Sequence, residues 1–299
     1  MRRTTWSRAV LCAALLSVTM IMPMLGSDDD PPGGSGPPTE PGLPGPDTLA
    51  NAVAATRAVD RARFELRTTV SQGGQELTFI HRGAFDDRGG RVQAEADMTE
   101  AAATLEAAGQ PLDGDWSQPT RMVVAGETVY SQLGPMAEAL GREPTDWTSA
   151  RLVAVMSQGA TDNDTLALAL DPLGPLDLLQ HTVIEIGPAG GNGEATVRGE
   201  PAAHLRAMLA LGGATPDGAT EPSPGSFEGR LRAAGVESLP VDVWIDGAGV
   251  VRRLVVRLDA SMAGGTGGSS LTTTFDLYDV DGDIEVEVPD PGDVVTGDD

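Results

Sequence analysis

From residue 61 onward the chain alternates with a period of two. Phe64, Leu66, Thr68 and Val70 are interleaved with Arg63, Glu65, Arg67 and Thr69, and after Gly73-Gly74 the alternation resumes at Leu77, Phe79 and Phe85. That period places one set of side chains on one face of a strand, and the glycine pair is a turn signal, so a long hairpin is predicted. Arg88-Gly89-Gly90 marks another turn, followed by a strand over Arg91–Met98, and Met122–Ala125 and Thr128–Gln132 flank Gly126-Glu127 as a further hairpin. Ahead of these strands, Asp47 reads as an N-cap, with Leu49, Ala52, Val53 and Thr56 at helical spacing. The middle of the chain predicts helices over Ser149–Met156, Asp162–Leu170 and Asp171–Gln180, the last with Pro172 in its first turn and Leu173, Leu176 and Leu179 on one side. Strands then resume at Thr182–Gly187, Ala195–Gly199 and Ala203–Leu211. A loop (Thr215–Pro224) and a short helix (Ser226–Ala234, stopped by Gly235) lead to strands at Val241–Asp246, Val250–Ala260, Leu271–Asp279 and Ile284–Val288. Most strands have one apolar and one polar face, as in an antiparallel sheet covered on one side. Few, clustered helices suit an α+β fold: a curved antiparallel sheet, a half-barrel, with helices packed over its concave face. Neither βαβ alternation nor a repeat of 20–50 residues is visible.

The amino-terminal pattern differs. Arg2, Arg3 and Arg8 precede an apolar run from Ala9 to Leu25, the arrangement of a secretory signal or an N-terminal membrane anchor over residues 1–26. The A-x-A cleavage pattern is missing, and the run, 17 residues broken only by Ser17, Thr19 and Pro23, sits at the lower limit of a spanning helix, so cleavage and retention both stay open. Residues 27–46 hold seven Pro and five Gly and read as an extended linker. The folded domain is expected over 47–289, followed by an acidic tail at 290–299. The protein is thereby placed outside the cytoplasm, in the cell envelope or beyond it.

Charge and composition then narrow the chemistry. The 299 residues carry 44 acidic and 20 basic side chains, a formal charge of −24, and every basic residue is Arg. Nucleic acid is an unsuitable partner for such a surface, since phosphate contacts need clustered Lys and Arg. Without Lys there is no Walker A loop and no Schiff base, and one Cys, Cys12, excludes a disulfide framework and a thiolate zinc site. His81, His181 and His204 have no metal-ligand spacing, and no G-x-S-x-G elbow occurs. His81 reads as a core or rim group on the Phe79 side of its strand. Asp279, Asp281, Asp283 and Glu285 miss the EF-hand frame, and Asp281-Gly282 reads as a turn. No catalytic, cofactor or metal site is therefore assigned, and the chain reads as a non-enzyme.

Four stretches resemble one family: the opening helix and hairpin, Asp47 to Phe85; Trp147 with the helices after it; IGPAGGNGEATVRGEPAAHL from Ile186; and LPVDVWIDGAGVVRRL from Leu239 with FDLYDVDGDIEVEVP from Phe275. Together they resemble the LppX/LprAFG family of actinobacterial envelope lipoproteins, relatives of the LolA-like lipid carriers. The sequence departs from that family in lacking the lipidated Cys, since Gly26-Ser27 occupies its place. The resemblance implies a cavity between sheet and helices that shields acyl chains, with a lipid or lipid-like ligand and the membrane surface as partners. Lining that concave face would be Leu66, Val70, Phe79, Val243, Ile245, Leu254, Val256, Leu258, Phe275 and Leu277. The alternative from another class is a non-catalytic envelope interaction or sensor module with a closed core, holding a partner protein. A hydrolase is disfavoured, because no nucleophile or acid–base set is visible.

Overall fold

In the computed structural model the residues described are 45, 47–110, 115–137, 143–157, 164–189, 194–211, 231, 236–259 and 269–295. The leader, almost all of the linker, the loop at 215–224 and the helix expected at 226–234 (apart from Leu231) lie outside them.

Helix α1 (Asp47–Arg57) opens the domain and buries Leu49, Ala52, Val53 and Thr56, the expected stripe. The hairpin follows as β1 (Arg61–Gln72) and β2 (Gln75–Asp86). Its turn residues Gly73 and Gly74 have φ of +61° and +83°, a backbone that L side chains resist. Strand β3 (Arg91–Asp97), helix α2 (Thr99–Ala107), β4 (Thr120–Ala125), β5 (Thr128–Gln132) and β6 (Trp147–Arg151) come next. Helices α3 (Leu152–Ser157) and α4 (Asp164–Leu170) and a 3-10 helix (Gly174–Gln180) form the central helical stretch. Then come β7 (Thr182–Pro188), β8 (Glu194–Val197), β9 (Glu200–Ala210), β10 (Ser238–Ile245), β11 (Val251–Asp259), β12 (Ser269–Tyr278) and the short β13 (Val294–Val295).

All of these strands belong to one sheet, in the order β13-β6-β5-β4-β3-β2-β1-β12-β11-β10-β9-β7, with β8 paired to β9. Every pairing is antiparallel except that of β13 with β6. The sheet is curved and open, and the architecture is α+β as expected. Its inner face carries the main core, in which Phe64, Leu66, Phe275, Leu277, Leu254 and Val243 meet Leu49 and Val53 of α1, Leu166 and Leu168 of α4, and Leu176 and Leu179 of the 3-10 helix. One buried hydroxyl locks α1 to the sheet: Thr56 Oγ1 donates to the Ala52 carbonyl (2.6 Å) and accepts from the Val251 N–H (2.9 Å).

The outer face is polar and cross-linked. Asp242 accepts from Arg257, from Arg206 (3.3 Å) and from His204 (2.9 Å), whose ring stacks on Trp244 with centroids 4.0 Å apart. Asp276 receives Arg253 (2.5 and 2.7 Å) and Arg198 (3.3 Å). Burial opposes ionisation of Asp242, but hydrogen bonds from Arg257 and His204 and the charges of Arg206 and Arg257 outweigh it, holding its carboxyl below the usual range.

Several sequence expectations need correction. Residues 149–151 are strand rather than helix, because they complete the edge ladder against Thr128–Tyr130. Pro175 lacks the N–H that would bond to the Asp171 carbonyl, and where a helix over 171–180 is expected a 3-10 segment starts at Gly174. Helix α2 was not expected at all. Ile284–Val288 does alternate, with Ile284 and Val286 buried, yet it forms no ladder. It runs as an extended strap over the outer face, packing on Ala84 and Val123, so that face is not left bare as the one-sided pattern implied.

Candidate ligand-binding interior

The ten side chains that the resemblance places on the concave face share the inner face of the sheet, and the strand register sorts most of them into rows. Leu66 pairs with Phe275, Phe275 with Leu254 and Leu254 with Val243, giving one apolar row across four adjacent strands, all of them buried. Leu277, opposite Phe64, and Ile245, opposite Val251, lie on the side of α1. In the other direction a second row runs Phe79, Thr68, Thr273, Val256. The third row consists of Leu77, Val70, Leu271 and Leu258, and each of its members is only partly buried. The apolar face thus runs on past its fully covered part to a rim that water reaches. Elsewhere, Ile184 on β7 and Val153 on α3 are exposed by more than half.

Val70 and Leu258 belong to the rim and not to the buried interior, and Phe79 and Val256 are buried in a row with two threonines instead of within an aliphatic row. Alternation in β1 places Thr68 on this face, and the β1–β12 register sets Thr273 opposite it, which gives the second row its polar character. His81 faces inward on the Phe79 side as expected, opposite Leu66 and Ala96. Burial alone pushes its imidazole down to about 4, so it is neutral at pH 7.

Two cavities flank this layer. A pocket of about 220 Å³ lies at its α1 end, between Val59, Phe85, Val92, Leu170 and Leu173, with Arg57 and Asp171 beside it. A groove of about 780 Å³ lies on the outer face, between the strap (Glu285–Pro289) and Arg82, Gln93, Glu95, Arg121 and Trp147 of the sheet. Neither is lined by any of the ten inner-face side chains. Among the described residues, no group of three or more His, Cys, Asp or Glu is placed to hold a metal ion, and no helix is long and apolar enough to cross a membrane.

Fold and interior together define an α+β protein built on one open sheet with an oily inner side. No family model matches the sequence, and no curated protein matches it. Solved structures do. The lipoprotein LppX of Mycobacterium tuberculosis is similar at 13% identity, covering 81% of this chain and 99% of its own, with a TM-score of 0.43. LprF of Mycobacterium bovis is similar at 16% identity, covering 84% and 99%, with a TM-score of 0.44. A LolA superfamily protein of Nitrosomonas europaea is similar at 8% identity, covering 83% and 96%, with a TM-score of 0.28. Similarities this distant carry no function across.

Proposed function

We propose that this protein binds an uncharged, largely apolar ligand of lipid type between its sheet and helices, and acts as a non-catalytic carrier in the cell envelope. The observation behind this reading is the passage from a sealed apolar row, through a row holding Thr68 and Thr273, to a second apolar row at the partly exposed rim of Val70, Leu77, Leu258 and Leu271. A closed core has no use for an apolar stripe longer than its cover, since exposed apolar area is unfavourable by about 25 cal/mol per Å². Sequestering an acyl chain requires little else: each CH₂ removed from water contributes about 0.8 kcal/mol, and no reactive group is needed. The Arg-rich leader followed by an apolar run and a Pro/Gly tether supports an exported site of action.

Uptake of the uncharged dye N-phenyl-1-naphthylamine by the purified protein tests this reading. Saturable fluorescence enhancement is expected, and Leu258→Glu at the rim weakens it at least several-fold while leaving the folded far-UV spectrum intact. No enhancement in the wild type contradicts the reading.

A second reading is favoured by the outer groove. Its mixed walls, with Arg82, Arg91 and Arg121 near Glu285 and Glu287 and with Trp147 among them, suit a peptide segment of a partner protein. On that reading the dye is not taken up, and Arg121→Glu abolishes capture of the partner.

A further inference from the structure

Among the described strand residues, the buried part of the inner face holds three polar side chains, and these three are neighbours. Thr68 on β1 stands directly opposite Thr273 on β12, and His81 on β2 lies on the same face, diagonal to Thr68 across the β1–β2 pairing. All three residues are more than nine-tenths buried. Thr68 Oγ1, Thr273 Oγ1 and His81 Nδ1 have no hydrogen-bond partner. A buried polar atom left without a partner is costly, and native proteins avoid it.

This chain elsewhere pairs such groups across strands. Thr69 and Thr78, directly opposite one another, bring their hydroxyls to 3.3 Å, and Ser131 and Thr148 reach 2.9 Å. Thr68 and Thr273 occupy an equivalent juxtaposition and make no such bond. Their hydroxyls and the imidazole nitrogen are therefore unspent donors and acceptors, set one row inside the rim of Val70 and Leu258.

Resting on the carrier reading, we propose that Thr68, Thr273 and His81 form the polar recognition point of the interior, and that it takes an uncharged oxygen group, an ester carbonyl, of an otherwise apolar ligand. Both hydroxyls can donate to a carbonyl oxygen, and a neutral imidazole can donate or accept beside it. The flanking positions Phe79, Leu66, Ala96, Phe275 and Val256 carry no charge. A carboxylate or phosphate would lack a counter-ion here and bear the full cost of desolvation. In the closed form these atoms are sealed from solvent without partners. A ligand that enters as the apolar cover parts gives them the bonds which closure denies.

Competition against bound N-phenyl-1-naphthylamine separates the possibilities, using methyl palmitate, palmitate and hexadecane as competitors on the full chain at pH 7. The wild type is expected to prefer methyl palmitate to palmitate. In Thr68→Val/Thr273→Val, methyl palmitate affinity falls about tenfold while hexadecane affinity holds, as the loss of two net hydrogen bonds requires. Valine matches threonine in shape and removes an unsatisfied group, so the variant is expected to melt no lower than the wild type, and His81→Leu supplies an independent second test of the same preference. Equal methyl palmitate affinity in wild type and variants, or tighter binding of palmitate than of its ester, overturns the recognition point and leaves the carrier reading standing. Failure of the dye and of all three competitors to bind removes both.

Discussion

His81 sets a pH dependence that can be worked out in sign. Its ordinary value is 6.5 and burial lowers it to about 4 in the folded chain. Above pH 6.5 the imidazole is neutral in both states and contributes nothing. As pH falls from 6.5 towards 4, the unfolded chain takes up a proton that the folded chain refuses, and stability is lost; below about 4 no further loss comes from this residue. The full span is on the order of 3 kcal/mol. Denaturant midpoints of wild type and His81→Leu, measured at pH 7.5 and pH 4.5, are therefore expected to diverge, with the wild type losing more on acidification. Parallel losses would show that His81 is not buried as described. The exposed ion pairs, such as Arg151 with Glu127, are not expected to register on this scale, because solvent screens them.

At the scale of elements, the hairpin depends on a glycine in an unusual place. Gly83 lies mid-strand in β2, opposite Phe64, and a Cβ there would run into the Phe64 ring and the Gln93 carbonyl. The fully buried ring fills the space that the missing side chain leaves. Gly83→Ala is expected to destabilise by about 1–3 kcal/mol, as overpacking does, although alanine suits a strand interior better than glycine. A thermal shift assay checks this, and an unchanged or raised midpoint would contradict the packing. Much at this scale was legible beforehand. Alternation in β1 and β2, Gly73-Gly74 at the turn and the α1 stripe are local signals, and each reappears in the fold. The strap was misread because alternation reports only that one side of a segment is buried. Ile284 and Val286 bury theirs against the outer face without any ladder. Helix α2 gives no clear period in the sequence because its buried side sets a single large apolar residue, Leu105, beside two small ones, Ala101 and Ala102.

For the whole molecule, the one-sided sheet could be read from residue pattern, but the rows that give the interior its character could not. Pairing Leu66 with Phe275 joins positions more than two hundred residues apart, and no local period encodes that register. The same long-range pairing brings Thr68 against Thr273, so the polar point of the interior was invisible until the strands were in order. The central claim is that ligand enters the inner layer from the rim, and methyl NMR reports it directly. With Leu and Val methyls labelled, titration with methyl palmitate is expected to shift Val70, Leu258 and Leu271 first and then Leu254 and Val256, while Val123 under the outer strap and Val286 within it stay fixed. Shifts confined to Val123 and Val286, or no shifts at all, would contradict it.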